Sequence, residues 1–300
     1  MRVLVTGATG FIGRALCRHL ASGNQIVIVT RDVERGRRKL GETATVLPLP
    51  ASKQEWTVTV DGCDAIVNLA GESIAAGRWT DGRKRQIHDS RIVLTRALAE
   101  GIAAAGRKPS AFVSASAVGY YGAHGDEELD ESSPAGDDYL ARICVDWERA
   151  TQPAEAAGVR TVHLRIGIVL DKGGGALATM VTPFKFYAGG PLGSGRQWMS
   201  WIHRDDVVGL IDFALREARA AGAMNATAPE PQTMRDFCRT LGKVLERPSW
   251  AAVPSFVLRF ALGEMADMIL NGQRVLPRAA LQLGYRFKYP HLEAALRAHL

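Results

Sequence analysis

Three glycines directly follow the first apolar segment of the chain, at a spacing that suits phosphate binding. The segment runs from residue 2 to 5, and Gly7, Gly10 and Gly13 come after it. In such a turn the first glycine bends the chain, the second lets the backbone approach a pyrophosphate, and the third lets the next helix pack closely on its strand. The amino terminus of that helix favours an anion because its N–H groups are unpaired. The pattern predicts a dinucleotide site that includes Gly7, Thr9, Gly10, Phe11, Ile12 and Gly13.

The end of the second predicted strand, 25–30, distinguishes between two dinucleotides. An acidic side chain there binds the ribose 2′-hydroxyl of NAD, whereas a cation accepts the 2′-phosphate of NADP. Arg31 follows the strand, and its planar guanidinium suits a phosphate, so NADP(H) is favoured. Asp32 is an acidic neighbour that fits NAD instead, and a solvated basic loop over 31–39 is the other interpretation of Arg31.

Length and composition indicate a folded chain of enzyme size. It has 300 residues, of which 47% are hydrophobic, and a net charge of +6. A chain of this size can bury a large core as one or two domains. The basic residues are spread along the sequence without an arginine-rich arm, so nucleic acid is not an expected partner. No run of eighteen apolar residues occurs, and no membrane segment is expected.

The cysteines and the first residues favour a reducing cytoplasm. No two cysteines form a C-x-x-C pair, so neither a metal site nor a disulfide framework is predicted. The first strand begins at residue 2 without a basic and apolar leader before it, so a cytoplasmic location is expected. The cysteines are Cys17, Cys63, Cys144 and Cys238.

Apolar segments of strand length alternate with helical segments through the first half of the chain. The helical segments repeat apolar residues at intervals of three and four, and this alternation is typical of a parallel sheet covered on both faces. We therefore predict an α/β protein with a Rossmann-type doubly wound parallel sheet. The expected strands are 2–5, 25–30, 43–49, 65–70, 111–115 and 161–170, and the expected helices include 11–20, 83–105 and 139–157.

The second half of the chain predicts a smaller, interleaved C-terminal lobe on the substrate side. Glycine and proline are frequent over 173–195, and shorter helical patterns follow. The segment 223–228 has the pattern of a strand that returns to the main sheet. The predicted NADP-binding Rossmann domain spans 1–170 together with 200–228, and the smaller lobe spans 171–199 and 229–300.

Several separate motifs resemble those of the extended short-chain dehydrogenases/reductases. They are the turn over 6–13, Asn68-Leu-Ala-Gly71, the Ser-Ala-Ser block over 114–116 and Trp201-Ile-His-Arg-Asp-Asp206. More narrowly, the chain resembles the YfcH-like "epimerase family" proteins of the NAD-dependent epimerase/dehydratase superfamily, including their C-terminal DUF1731-type domain. This narrower resemblance rests on Trp79, Ser90-Arg91, Val118-Gly-Tyr-Tyr-Gly122, Trp147-Glu148, the segment 193–198, Asn225-Ala-Thr-Ala-Pro229 and Gly272-Gln-Arg-Val-Leu-Pro277.

The resemblance implies where the cofactor lies and which further residues contact it. The cofactor is expected across the carboxyl ends of the strands, at the switch point of the sheet. Residues after the fourth strand then contribute mainly backbone, and the following helix adds two side chains. A surface arginine is the other interpretation of Arg91. The implied contacts are Leu69, Ala70, Gly71, Gln86, Arg91 and Val169.

The resemblance also implies a catalytic tyrosine with a lysine four residues later. A phenol of pKa about 10 exchanges protons poorly at neutral pH unless a cation stabilises its phenolate. This chain has Tyr139 but carries Ile143 at the lysine position. The narrower family members similarly lack an intact motif. One candidate for the missing charge is Arg142, which lies three residues after the tyrosine on the same helix face.

A second set of catalytic candidates lies beyond the fifth strand. Ser116 has the position of the usual hydrogen-bonding partner, and Tyr120 or Tyr121 is an alternative acid. The other interpretation is that both tyrosines line the cofactor pocket without exchanging protons. The predicted catalytic residues are Ser116, Tyr139 and Tyr121, and no metal ligand is predicted.

Two other groups have residue types that suit a site. His203, Asp205 and Asp206 have the composition of an acid–base pair or of metal ligands, but we favour a structural role with Asp205 as a helix N-cap. Trp198 and Trp201 stand beside a glycine-rich segment, and either an aromatic wall for a substrate or the core is expected to hold them.

Two functions of different class follow from these observations. The first is an NADP-dependent oxidoreductase, or an epimerase of the nucleoside-diphosphate-sugar type that uses transient hydride transfer. The second is a protein that binds NADPH without turnover, as a redox sensor or an assembly partner, since the lysine is missing. The sequence does not identify the small-molecule substrate. The apolar face of the helix over 83–105 is a candidate surface for a homodimer.

Overall fold

Strands and helices alternate through the first half of the chain, as the apolar pattern predicts. The computed structural model describes residues 1–300, and a 3-10 turn occupies Val118–Tyr121. The strands are β1 (Arg2–Thr6), β2 (Gln25–Thr30), β3 (Thr45–Pro48), β4 (Ala65–Asn68), β5 (Ala111–Ala117), β6 (Glu128–Leu129), β7 (Arg160–Ile166), β8 (Ile168–Asp171), β9 (Trp198–Met199), β10 (Trp201–His203), β11 (Gly222–Ala226), β12 (Gln232–Thr233) and β13 (Arg274–Val275). The helices are α1 (Phe11–Leu20), α2 (Val33–Leu40), α3 (Lys53–Val60), α4 (Asp81–Asp89), α5 (Ile92–Ala104), α6 (Tyr139–Arg149), α7 (Gln152–Ala156), α8 (Gly175–Lys185), α9 (Arg204–Arg216), α10 (Met234–Leu245), α11 (Ser255–Leu262), α12 (Met265–Leu270), α13 (Arg278–Gln282) and α14 (Leu292–Arg297).

Seven parallel strands form the central sheet, in the order β11-β7-β5-β4-β1-β2-β3. β1 pairs with β2 on one side and with β4 on the other, so the chain winds outward to β3 and then returns past β1. The reversal between β1 and β4 is the switch point of a doubly wound sheet, where ligands bind at the carboxyl ends of the strands. The structure confirms the predicted α/β fold with its Rossmann-type sheet and smaller C-terminal region.

Each face of the sheet is covered by its own apolar layer. Val3 and Val5 of β1 point into a cluster of 26 buried residues that also contains Leu16 of α1. Leu4 lies between them in sequence and points to the other face, into a cluster of 14 buried residues with Trp56 of α3. Successive side chains of a strand alternate between faces, so a strand that is apolar throughout is buried on both sides. This explains why the first strand shows no polar alternation.

The predicted helix over 83–105 is divided into α4 and α5 at Ser90. The Ser90 hydroxyl donates a hydrogen bond to the Ile87 carbonyl at 3.1 Å, which offers that acceptor a partner other than the helix backbone. The Arg91 N–H then bonds to the His88 carbonyl three residues earlier, at 3.0 Å. A continuous helix was therefore the wrong prediction, because a serine side chain competes with the backbone at this point.

Two other predicted segments are also divided. The helix over 139–157 is α6 followed by α7, because Pro153 has no N–H to donate to the carbonyl four residues earlier. The strand over 161–170 is β7 followed by β8, and the division falls at Gly167. A Cβ on Gly167 would lie 2.2 Å from the Ser200 carbonyl oxygen, so only glycine lets the chain leave the main sheet here and pair with β10.

The C-terminal part of the chain contributes both to the sheet and to a separate core. The strand predicted over 223–228 is β11, and it pairs in parallel with β7 at the edge of the sheet. A third apolar cluster of 14 buried residues contains Leu177 of α8, Phe237 of α10 and Leu292 of α14. No helix combines the length and the apolar character needed to cross a membrane.

A short strand late in the chain is attached to a loop that follows β5. β13 pairs in parallel with β6, so that Val275 lies beside Leu129. The Asn225 side chain donates to the Leu276 carbonyl at 2.9 Å, and the Thr227 hydroxyl donates to the Val275 carbonyl at 3.2 Å. These contacts join residues 274–276 to both the loop after β5 and the end of β11.

Candidate functional site

The predicted glycine turn lies at the switch point, between the end of β1 and the start of α1. Gly7 has a φ of +67°, and a Cβ there would lie 2.3 Å from the Leu69 carbonyl oxygen. A Cβ on Gly13 would lie 2.4 Å from the Gly7 carbonyl oxygen. Gly10 occupies the N-cap position of α1, and no side chain caps this helix. The turn therefore presents helix N–H groups without a capping side chain, as an anion site requires.

The residues after β4 lie beside this turn. The Leu69 N–H donates to the Thr6 carbonyl at 3.2 Å, which continues the pairing of β4 with β1. A Cβ on Gly7 would also lie 2.8 Å from the Ala70 nitrogen, and a Cβ on Gly71 would lie 3.1 Å from the Arg91 guanidinium carbon. The structure thus brings Leu69 and Ala70 against the turn, and it places Gly71 against Arg91.

Asn68 holds the ends of three strands together. Its side-chain oxygen accepts hydrogen bonds from the Thr6 hydroxyl at 2.6 Å and the Ala70 N–H at 3.3 Å. Its amide group donates to the Thr95 hydroxyl at 2.7 Å and the Ser114 hydroxyl at 3.2 Å. Asn68 is completely buried, so each of these bonds satisfies a group that would otherwise be costly to bury. The amide fixes β1, β4 and β5 where the turn and the following loop meet.

Arg31 and Asp32 have different surroundings. The Arg31 side chain is 78% exposed, and its guanidinium forms an ion pair with Glu72 at 2.9 Å. The Asp32 carboxylate accepts a hydrogen bond from the Arg35 N–H at 2.9 Å and caps α2. The basic run over 31–39, for which a solvated loop was the other interpretation, is therefore partly helical. The guanidinium is the exposed cation at the end of β2, and the Asp32 carboxylate uses one of its two oxygens as the cap.

Arg91 is not a surface arginine. It donates to the Glu72 carbonyl at 2.9 Å and to the Ile87 carbonyl at 3.2 Å, and it stacks over the Trp147 ring at 5.1 Å. Burial lowers the pKa of its guanidinium. These contacts attach the loop after β4 to α4, so Arg91 fixes the backbone of this loop beside the glycine turn.

Gln86 and Val169 lie in different settings from the turn. Gln86 is exposed on α4, and its side-chain oxygen accepts a hydrogen bond from Arg83 at 3.1 Å. Val169 lies in β8 and pairs with Ile202 of β10. Their predicted contacts with a cofactor stay predictions, as do those of Thr9, Phe11 and Ile12 in the turn.

Ser116 at the end of β5 belongs to a buried charged network. Its hydroxyl donates to a Glu148 carboxylate oxygen at 2.7 Å. Arg165 of β7 donates to both oxygens of that carboxylate, each at 2.9 Å. The two side chains are only 5% and 11% exposed. Burial by itself would lower the pKa of Arg165, but the hydrogen bonds and charge of Glu148 raise it, so the guanidinium stays protonated.

The Tyr121 hydroxyl has no hydrogen left to donate to a ligand. Its hydroxyl donates to the Asn225 side-chain oxygen at 2.7 Å and accepts from Arg165 at 3.0 Å. The residue is completely buried, and burial raises the pKa of its phenol to about 12. This geometry argues against the proton-donor role predicted for Tyr121. Tyr120 stacks its ring on Arg165, whose guanidinium carbon lies 3.4 Å from the ring centre.

Tyr139 lies apart from this network, at the start of α6. Its hydroxyl donates to the Lys84 carbonyl at 3.3 Å, and its ring packs against Trp79 at 5.3 Å. Burial raises the pKa of Tyr139, and the charges of Lys84 and Arg91 oppose that rise. Arg142 is exposed and is not among the charges that act on this phenol, so the structure does not support Arg142 as the missing cation.

His203, Asp205 and Asp206 have structural roles, as predicted, but the cap is a different residue. His203 caps α9, since its Nδ1 accepts from the Asp205 N–H at 3.1 Å. Burial lowers the pKa of His203 to about 4, so it is neutral and available as an acceptor. The Asp206 carboxylate accepts from the Lys288 and Tyr289 N–H groups at 2.6 and 2.9 Å. Asp205 was the wrong prediction for the N-cap because α9 begins earlier.

The two tryptophans do not form one wall. Trp201 is completely buried in the third apolar cluster, and its indole N–H donates to the Glu230 carbonyl at 3.0 Å. Trp198 is partly exposed, donates to Asp126 at 2.8 Å, and has Arg274 over its ring at 4.6 Å. Trp201 is therefore a core residue, and only Trp198 has an accessible face.

A polar concavity of about 700 Å³ lies elsewhere, beside the starts of β2 and β3. Gln25 and Thr45 are among the residues that line it. Ligands of open α/β sheets bind at the carboxyl ends of the strands, so a depression at the amino ends is not part of the candidate site.

The parallel seven-stranded sheet, with a glycine turn at its switch point, defines a Rossmann-like α/β protein. The model of the NAD dependent epimerase/dehydratase family matches residues 3–226, and a domain of unknown function, DUF1731, matches residues 253–299. The chain belongs to the NAD dependent epimerase/dehydratase family. These matches confirm the family resemblance and the C-terminal DUF1731 domain predicted from the separate motifs.

Relatives from several organisms are similar over nearly the whole chain. The "Epimerase family protein SDR39U1 homolog, chloroplastic" of Arabidopsis thaliana is 46% identical over 304 residues, which cover 99% of this chain and 86% of the relative. The epimerase family protein YfhF of Bacillus subtilis is 41% identical, covering 99% and 97%. The crystal structure of human epimerase family protein SDR39U1 (isoform 2) with NADPH is 37% identical, has a TM-score of 0.89 and covers 99% of this chain and 98% of the human one.

Proposed function

We propose that this chain binds NADP(H) at the switch point and acts as an oxidoreductase, or as an epimerase of the nucleoside-diphosphate-sugar type. The observation that carries the proposal is the glycine turn. Two of its glycines lie where a Cβ would collide with backbone, at Gly7 and Gly13, and the helix after it has no capping side chain. Such close backbone approach beside helix N–H groups suits a pyrophosphate.

The phosphate preference is supported by the end of β2. Arg31 is exposed, and its ion pair with Glu72 holds it near the loop after β4, which lies beside the glycine turn. A 2′-phosphate, with a larger charge than the carboxylate, would compete for the same guanidinium. Asp32 caps α2 with one carboxylate oxygen, which gives this acidic residue a structural role that does not require a ribose. The human relative crystallised with NADPH agrees with this preference.

The chemistry would divide between the cofactor and two predicted catalytic residues. The nicotinamide, when bound, supplies or accepts a hydride. Tyr139 would transfer a proton at its phenol oxygen. Ser116 donates its own hydrogen to Glu148, so it would present a lone pair to a substrate hydroxyl rather than a proton. The substrate would be a small molecule.

A second function is favoured by one observation. Ile143 occupies the lysine position and is only 7% exposed, so this helix offers no cation to the tyrosine. A protein that binds NADPH without turnover, as a redox sensor or assembly partner, needs no such cation. Substrate-dependent NADPH oxidation distinguishes the two functions. Turnover that disappears in Tyr139→Phe supports the enzyme, and its absence across a broad panel of carbonyl compounds supports the sensor.

Thermal denaturation with matched concentrations of NADPH, NADP⁺, NADH and NAD⁺ tests the binding proposal. A ligand at a hundred times its dissociation constant adds about 2.7 kcal/mol of stability. We expect selective stabilisation by the two phosphorylated forms, and we expect Arg31→Ala to remove the selectivity. Arg38→Ala removes an equal charge from the exposed side of α2 and serves as the control. Equal stabilisation by all four, or by none, would contradict the proposal.

A further inference from the structure

The position that would carry the lysine of the tyrosine motif cannot serve a cation in this fold. Ile143 is one helical turn after Tyr139 and is 7% exposed. A side chain at this position is buried, and burying an ammonium group is strongly unfavourable unless it is paired. Arg142 is exposed, and its charge is not among those that act on the Tyr139 phenol. A positive charge near the phenol must therefore come from another element of the structure.

α4 provides that charge. The Lys84 ammonium lies 5.2 Å from the centre of the Tyr139 ring, and the Tyr139 hydroxyl donates to the Lys84 carbonyl at 3.3 Å. The Lys84 ammonium thus lies over the ring and favours the phenolate, whereas the backbone carbonyl of the same residue accepts the phenol hydrogen and favours the neutral form. We propose that Lys84 is the residue that replaces the missing lysine, by stabilising the Tyr139 phenolate from α4 instead of from α6.

The charges around the phenol can be ordered by sign. Burial disfavours the phenolate, whereas the positive charges of Lys84 and Arg91 favour it. Glu264, just before α12, disfavours it. Trp79 packs on the ring without charge. Two cations and one anion therefore face the tyrosine, and Lys84 is the cation that contacts its ring directly.

Glu264 also controls how strongly Lys84 acts. Its carboxylate forms an ion pair with the Lys84 ammonium at 2.5 Å. The Glu264 side chain is 64% exposed and that of Lys84 only 27%, so the anion lies on the solvent side of the pair and is better screened. The net field at the phenol is therefore set by the cation, and the carboxylate weakens it.

A second contact attaches the C-terminal segment that carries Glu264 to the loop before α4. Arg78, before α4, donates to the Ala261 carbonyl at 3.1 Å and also to the Phe260 carbonyl. This attachment at the end of α11 holds Glu264 within reach of Lys84. A change in the position of this segment would alter the charge that Tyr139 experiences, which links the DUF1731 region to proton transfer.

The inference rests on the proposed function for its catalytic consequence, but its electrostatic content can be tested without a substrate. We would replace the six tyrosines of the chain with 3-fluorotyrosine and follow the ¹⁹F resonances during a pH titration. The Tyr139 signal is identified by its loss in Tyr139→Phe. The variants are Lys84→Met, Lys84→Arg and Glu264→Gln, and circular dichroism verifies that each stays folded over the titration range.

Opposite shifts are expected from the two partners of the pair. Lys84→Met should raise the Tyr139 titration midpoint by about one pH unit, because a nearby cation is lost. Glu264→Gln should lower it, because the opposing anion is lost, and Lys84→Arg should restore a midpoint close to that of the parent protein. A structural role for Lys84 alone would not produce shifts of opposite sign.

Matched controls remove the same charges at positions that face away from the phenol. Arg85→Met deletes a cation from the exposed face of α4, and Asp267→Asn deletes an exposed carboxylate of α12. Both should leave the midpoint within about 0.3 pH unit of the parent. Equal shifts from Lys84→Met and Arg85→Met would overturn the inference. A failure of NADP(H) to stabilise the protein would refute the proposed function without affecting this titration.

Discussion

Replacing Glu148 by Gln should destabilise the protein by about 3 kcal/mol, because it leaves a buried cation without its counter-charge. The Arg165 side chain is 5% exposed and donates to both carboxylate oxygens at 2.9 Å. Removing one partner of such a pair costs about 3 to 5 kcal/mol. A glutamine still accepts one hydrogen bond, so the lower end of this range applies.

The pairwise nature of this loss is measured by a double-mutant cycle. Arg165→Met alone leaves the carboxylate buried and should cost a similar amount. The variant with both Glu148→Gln and Arg165→Met contains neither charge, so its loss should be clearly smaller than the sum of the two single losses. Equilibrium unfolding in urea, followed by the fluorescence of the six tryptophans, gives the three free energies.

An exposed ion pair on the same helix provides the control. Asp146 pairs with Arg149 at 3.3 Å, with side chains 45% and 68% exposed. Asp146→Asn should cost less than about 1 kcal/mol, because surface pairs contribute little. If Glu148→Gln were no more harmful than this control, or if the two losses in the cycle simply added, the argument from the buried pair would be refuted.

Two further predictions concern single groups. The pKa of His203 is about 4 in the folded protein and about 6.5 in the unfolded chain. As the pH drops between these values the unfolded chain takes up the proton first, so the stability of the fold falls by up to about 3 kcal/mol. Urea unfolding across this range should show a shallower loss in His203→Asn, which keeps a capping side chain. Asp32→Ala should cost about 1 kcal/mol of stability by removing the cap of α2. A nucleotide titration of the same variant should show an unchanged preference between NADPH and NADH. An increased preference for NADPH would show instead that the carboxylate faces the ribose.

The sequence predicts those parts of the site that local chemistry determines. Gly7 and Gly13 could be identified because a short spacing of glycines after an apolar strand has one main use, and the structure shows the backbone collisions that exclude any other residue. The doubly wound sheet followed from apolar segments without polar alternation. In both cases the signal and its structural consequence lie within about ten residues of one another.

The remaining parts depend on pairs that are distant in sequence. Glu148 and Arg165 stand on a helix and a strand, and nothing in their own segments shows that they meet. Lys84 and Tyr139 are likewise on separate helices, so a search within the segment of Tyr139 finds Arg142 at i+3 and not the lysine that lies over the ring. Buried polar partners of this kind are set by tertiary packing, which a single sequence does not display.

The attachment of residues 274–276 to the loop after β5 has a consequence for synthesis on the ribosome. Asn225 accepts a hydrogen bond from Tyr121 and donates one to the Leu276 carbonyl. While the chain is still emerging, the sheet can form amino-terminal first, but this amide can donate only to water until residue 276 has left the exit tunnel. Each nascent molecule therefore passes through a stage with a formed glycine turn and an unfinished polar core.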